Sequence, residues 1–139
     1  MIRKAVSNDS ERICELLKQL GYDVEYKELF ESISSNSRND EIFVSVVSMN
    51  VVGIVSLVFL DYLPSIERIC RITALVVDEK YRGSGVGSKL VQFAINQAME
   101  KRCAKLEVTT SPWREAAKQF YVSNGFVKTS FRYVQDVGN

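Results

Sequence analysis

The sequence predicts an α/β fold (α+β in some schemes): a mixed, mostly antiparallel central sheet of about six strands, flanked by about four helices. Three observations carry this. Two runs rich in β-branched residues, 42–47 and 51–60, follow one another with only a short break. Residues 86–102 carry apolar side chains in i+4 rows, the mark of an amphipathic helix. Beyond residue 66, strand-like and helix-like segments alternate. The 139 residues are 46% hydrophobic and 25% charged, which suits one domain over 1–139.

Taken in order, residues 2–6 read as a short strand. Ser7-Asn8-Asp9-Ser10 supplies N-cap types. Ile13, Leu16, Leu17 and Leu20 then mark one helix face, and Gly21 is placed to end that helix. A second helix is expected over about 25–35, with Leu29, Phe30 and Ile33 apolar, before a polar loop. The two β-runs are expected to form a hairpin turning at Met49-Asn50. Residues 66–77 form a third β segment whose alternation breaks, so a bulge is predicted near 71–73.

A loop over 78–85 leads into the long helix, with Val86, Leu90, Ala94 and Ala98 in one row and Val91, Ile95 and Met99 in the next. A strand over 106–110 follows. Ser111-Pro112 is expected to open a last helix, because Pro suits a first turn. Asn124-Gly125 ends it, and 126–134 reads as a final strand. The order is β-α-α-β-β-β-α-β-α-β, with hairpins first and crossovers after.

Composition removes whole classes of chemistry. The chain has no histidine, which excludes a Ser-His-Asp triad, a Cys-His pair and a His-ligated zinc. Cys14, Cys70 and Cys103 are odd in number and widely spaced, so they read as reduced, buried thiols rather than a metal site or a disulfide framework. A net charge of +1 argues against nucleic acid as a partner. The longest apolar stretch, 51–60, is far short of the ~20 residues a membrane span needs, and no signal peptide is evident. A cytoplasmic protein is expected. Residues 1–64 hold 6 Lys and Arg against 10 Asp and Glu, whereas 65–139 hold 12 against 7. An acidic first half would suit a cationic client.

The chemistry concentrates in Tyr81-Arg82-Gly83-Ser84-Gly85-Val86-Gly87-Ser88-Lys89, between a strand and a helix. Small residues let backbone approach an anion, and a helix start favours phosphate oxygens. A Walker loop does not fit, because Gly87-Ser88-Lys89 has the wrong order. A dinucleotide fingerprint does not fit either, because Ser88 stands where the third Gly belongs.

Arg82-x-x-Gly85-x-Gly87 resembles the acetyl-CoA signature of the GNAT N-acetyltransferases. Arg114-x-x-Ala117-x-x-Phe120-Tyr121-x-x-x-Gly125-Phe126 resembles that family's second block, at family spacing. The likeness spans residues 1–134, and its second half looks similar to aminoalkylphosphonate and other small-amine N-acetyltransferases. The resemblance implies acetyl-CoA as cosubstrate, no tightly bound metal, and a small-molecule amine as acceptor. Many members are homodimers, although no interface signal stands out in this sequence.

By the same analogy the backbone of Gly83, Ser84, Gly85, Val86, Gly87 and Ser88 cradles the coenzyme A pyrophosphate, with Arg82 at its border. Leu75, Val76 and Val77 would pair with the pantetheine arm like an added strand. The Leu75 N–H would serve as an oxyanion donor, and the strands would splay between the fourth and the fifth. Arg114, Ala117 and Phe120 fall among the coenzyme-binding positions. Tyr121 matches the general acid that protonates the leaving thiolate. Relatives often carry a Glu on the bent strand as base; residues 69–77 hold no carboxylate here, which leaves Glu67, Asp61 or Glu107 acting through water. Direct attack by a primary amine is the expected reaction. Alternatives are a protein N-terminus or lysine as acceptor, or an acyl-CoA-binding regulatory module without turnover.

Overall fold

A computed structural model describes residues 1–138. The chain divides into two compact units, one of Met1–Thr109 and a smaller one from Thr110 on.

The larger unit holds β1 (Ile2–Lys4), α1 (Ser10–Gln19), α2 (Tyr26–Ser34), β2 (Glu41–Val47), β3 (Asn50–Tyr62), β4 (Glu67–Val77), α3 (Val86–Glu100) and β5 (Lys105–Val108). The five strands form one sheet in chain order, antiparallel except for the parallel β4–β5 pair. The expected helices and hairpin are present. The hairpin turns one residue earlier than expected: Val47 pairs with Asn50, and Ser48-Met49 form the two-residue loop with φ of 49° and 67°. Positive φ at both central positions matches the right-handed twist of the strands, and here residues other than Gly supply it.

Strand alternation sends successive residues to opposite faces. Ile54 and Val76 join Ile13, Leu16 and Leu29 in the core under α1 and α2. The neighbouring Gly53 faces α3, where an added Cβ would meet Leu90 Cδ1 at 3.0 Å, Val86 Cγ1 at 3.2 Å and the Val76 carbonyl at 3.3 Å. Glycine therefore sets how closely α3 lies on the sheet. Val86, Leu90, Ala94 and Ala98 are all buried, as the i+4 row predicts, whereas Met99 at the helix end is exposed. Phe93 meets Phe43 edge to face with centroids 4.7 Å apart.

The predicted break in β4 is a bulge. Ser56 pairs with Ala74 and Leu57 with Ile72, so Thr73 is the extra residue. β5 pairs with Ile69 to Ile72 only, and β4 runs on alone past the bulge. The β4–β5 ladder thus ends at Ile72–Val108, where β5 itself stops, just before the bulge.

In the smaller unit, the Arg114 N–H donates to the Ser111 carbonyl at 3.1 Å, closing a turn over Pro112 and Trp113. α4 starts only at Glu115 and runs to Ser123. Pro112 thus sits at the second position of a β-turn, where its fixed φ is equally suited, rather than in the helix. α4 ends where expected: Gly125 has φ 92°, its N–H donates to Val122, and the Phe126 N–H donates to Tyr121. The final strand expected over 126–134 is not formed. No β-ladder includes residues 126–138, and a strand exists only where a neighbour takes its backbone groups. Among the described residues the sheet therefore has five strands rather than six. Among them, too, no helix is long and apolar enough to cross a membrane.

Candidate functional site

In the larger unit, the free edge of β4 leads straight into the Gly-rich turn. The Asp78 N–H donates to the Val52 carbonyl at 2.8 Å. Antiparallel pairs alternate between bonded and non-bonded, so counting back from Asp78 makes Val77–Gly53 and Leu75–Val55 non-bonded pairs. Their N–H and C=O groups point away from β3, toward the side on which β5 pairs with the earlier part of the strand. The Val77 carbonyl already receives the Arg82 Nε–H there at 3.1 Å. Backbone groups of Leu75 and Val77 are thus presented on that side, while those of Val76 are taken by Ile54.

Beyond Tyr81 the chain turns through Gly83 (φ 81°) and Gly85 (φ 90°). Left-handed backbone of this kind suits glycine, and a Cβ built at either position meets no atom within 4 Å. Gly85 is the N-cap of α3, with no side-chain cap. The first intrahelical bond runs from the Lys89 N–H to the Gly85 carbonyl at 3.1 Å. The N–H groups of Gly85, Val86, Gly87 and Ser88 therefore have no acceptor within the helix, and the positive end of its dipole lies with them. Ser84 Oγ–H donates to the Tyr81 carbonyl, which folds the turn back on itself.

Sequence inspection misses what holds this turn in place. Asp78 is buried, and its carboxylate accepts from the Lys80 N–H at 3.1 Å, from Arg12 Nη2 and from Gln19 Nε2 at 3.4 Å. Arg12 Nε also donates to the Val51 carbonyl at 2.8 Å, and Gln19 Oε1 accepts from the Glu79 N–H at 3.0 Å. The Lys80 N–H and the Arg12 guanidinium hold the Asp78 carboxyl below the ordinary carboxylate range. Asp78 before a short helical turn has the form of an N-cap and was legible as one; Arg12 and Gln19, some 60 residues away on α1, left no local signal.

At the bulge, Ser56 Oγ and Thr73 Oγ1 share a hydrogen bond of 2.5 Å, Ser56 buried and Thr73 exposed. Glu107 on β5 pairs with Arg71 at 2.5 Å. Glu67 lies eight residues before Leu75 on the same strand, about 25 Å by strand rise, and pairs with Lys105 at 3.8 Å. Glu67 and Asp61 line an open groove of about 540 Å³ at the β3–β4 turn instead, with Arg68, Lys101 and Arg102. The structure brings Leu75, Val76, Val77 and Arg82 through Ser88 into one continuous stretch and sets Glu67 and Asp61 apart from it.

In the smaller unit, α4 carries Arg114 at its N-cap, then Ala117, Phe120 and Tyr121. The Tyr121 ring lies edge to face with Phe120 at 5.4 Å and with Phe126 at 5.5 Å. Burial pushes the phenol above its ordinary pKa, with the Arg114 charge pulling the other way. Tyr121 therefore keeps its proton at neutral pH and is equipped to donate it.

Residues 9–126 match the Acetyltransferase (GNAT) family. The chain belongs to this family. Over 140 residues it is 28% identical to the aminoalkylphosphonate N-acetyltransferase of Salmonella typhimurium, covering 96% of this chain and 89% of that protein. A transcriptional regulator from Bacillus halodurans C-125 superposes with a TM-score of 0.84 at 27% identity over 99% of each chain. Glucosamine-6-phosphate N-acetyltransferase from Arabidopsis thaliana superposes with a TM-score of 0.76 at 26% identity, over 99% of this chain and 98% of that one. The protein is an acyltransferase, of a family that uses acetyl-CoA as cosubstrate. In this GNAT enzyme Cys70 is fully buried, and burial pushes its thiol up to about 12. A thiol so placed is no nucleophile at neutral pH. The thiols of Cys14 and Cys103 are pushed up as well, again chiefly by burial.

Proposed function

We propose that this GNAT enzyme transfers an acetyl group from acetyl-CoA to a small primary amine by direct attack. The observation that carries the reading is the continuity of the β4 edge with the start of α3. Outward backbone groups at Leu75 and Val77, on either side of Val76, suit the amides of a pantetheine arm, and the α3 N–H groups suit the pyrophosphate beyond it. The spacing suits one extended ligand running along both.

In this mechanism Gly83, Ser84, Gly85, Val86, Gly87 and Ser88 bind the pyrophosphate through backbone N–H groups, with Arg82 beside them. The Leu75 N–H donates to the thioester oxygen as charge develops on it. Tyr121 donates its proton to the departing thiolate, and Arg114, Ala117 and Phe120 keep that helix face against the coenzyme. The acceptor class is supported by the near full-length likeness to an aminoalkylphosphonate N-acetyltransferase. The test is release of the coenzyme A thiol from acetyl-CoA with a panel of aminoalkylphosphonates, polyamines, amino acids, aminoglycosides and lysine peptides. Turnover concentrated on one small-amine class is expected. Acetyl-CoA binding without turnover on any amine would refute the reading and favour a regulatory module.

A further inference from the structure

We propose that the Ser56–Thr73 hydroxyl pair receives the attacking amine as its neutral free base, so that the acceptor's own pKa, and no carboxylate of the enzyme, sets the pH dependence of transfer. The inference rests on the acetyl-transfer reading above.

Thr73 is the residue that the bulge adds to β4, two positions before Leu75, and it is exposed just past the last β4–β5 pair. Its Oγ1 stands 2.5 Å from the buried Ser56 Oγ and 3.5 Å from the Ser56 carbonyl. Two hydroxyls that share one hydrogen bond still offer a lone pair to an incoming N–H. Such a contact can orient a nitrogen toward the carbonyl held at Leu75.

It cannot store the proton of an ammonium ion, because an aliphatic hydroxyl carries no charge to exchange for it. Arg71, two residues before Thr73 on β4, is bound to Glu107 of β5 at 2.5 Å. The hydroxyl pair's strand neighbours are apolar: Ile54 and Val58 flank Ser56 on that face of β3, and Ile42 of β2 and Ala74 of β4 pair with it. The helices on this face meet the sheet through Ile13, Leu16 and Leu29, and the titratable group among the side chains packed against that cluster is the Cys14 thiol, which burial pushes up. The ammonium proton therefore leaves to solvent before attack. The neutral nitrogen then forms its C–N bond as the C–S bond breaks. Tyr121 protonates the sulfur and recovers a proton from solvent, to which the acylated nitrogen loses one.

The test measures kcat/KM against pH for two accepted amines whose own pKa values differ, an alkyl amine near 10.4 and an α-amine near 8. For the α-amine the curve is expected to level near pH 8, while for the alkyl amine it keeps rising about tenfold per pH unit through pH 9. Thr73→Val is expected to lower kcat/KM about tenfold without moving either curve along the pH axis, and Thr73→Ser to restore it. Levelling at one shared pH for both amines would show an enzyme base and overturn the proposal. So would a Thr73→Val enzyme as active as the parent. Silence of the parent enzyme with every amine, alongside normal acetyl-CoA binding by calorimetry, would overturn the acetyl-transfer reading and this inference with it.

Discussion

Tyr121 and Phe126 meet twice: the Phe126 N–H donates to the Tyr121 carbonyl at 3.0 Å, and their rings stand edge to face with centroids 5.5 Å apart. The spacing from Tyr121 through Gly125 to Phe126 is thus a helix stop with its customary apolar contact. One short motif both ends α4 and fixes the direction of a phenol.

Tyr121→Phe keeps the ring contact and the stop while removing the hydroxyl. Turnover is expected to fall about tenfold or more, the low edge of general-acid effects, with acetyl-CoA affinity nearly unchanged by calorimetry. Because burial raises the phenol, its neutral form stabilises the fold below the ordinary tyrosine range, and that contribution is lost as pH rises through the raised value. Spectrophotometric titration of tyrosinate should lose a late-titrating component in the variant.

Gly85→Glu places bulk and negative charge at the head of α3, on a backbone with φ 90°. The heat of acetyl-CoA binding should vanish in calorimetry. The left-handed strain costs about 1–2 kcal/mol, so the melting temperature should fall by about 3–8 °C, leaving a folded protein. Normal binding by the folded variant would refute the placement of the pyrophosphate.

Arg12→Ala removes one partner from the Asp78 carboxylate and a donor from the Val51 carbonyl. The Asp78 carboxyl is depressed, so the stability it supplies is present above the ordinary carboxylate range and lost as pH falls through its lower folded value. Acid unfolding followed by circular dichroism should begin at higher pH in the variant. Acetyl-CoA affinity should weaken several-fold as the turn after β4 loosens. An unchanged acid limb would remove Arg12 from the support of this turn.

Arg102 follows α3 with φ 60°, and the Cys103 N–H donates to the Ala98 carbonyl at 2.8 Å, so a residue other than Gly occupies the left-handed stop of this helix. Arg102→Gly should stabilise the protein by about 0.5–1 kcal/mol in urea unfolding, with catalysis unaffected.

Local signals carried far in this chain. The buried row on α3, the stops at Gly21 and Gly125 and the bulge at Thr73 each depend on residues close in sequence, and each was legible. Pro112 was ambiguous because one fixed φ serves a helix start and a turn alike. The Ser48-Met49 turn was hidden because side chains that disfavour positive φ adopt it there. The last strand failed because alternation in 126–134 states a preference, while a strand also needs a neighbour. Among the candidate site residues, the Gly-rich turn and Tyr121 announced themselves by motif. Arg12 and Ser56 did not, because their roles arise from partners 66 and 17 residues away.

The bulge at Thr73 also governs what else can attach to this sheet. An open strand edge invites other chains to add to it, and proteins commonly guard against this by keeping such edges short. Between Thr73 and the Asp78 bond back to Val52, only Leu75 and Val77 turn backbone groups outward, a span of about 7 Å. An aggregating strand finds too few partners there to hold. The kink in β4 thereby also keeps this stretch of open edge too short to template another strand.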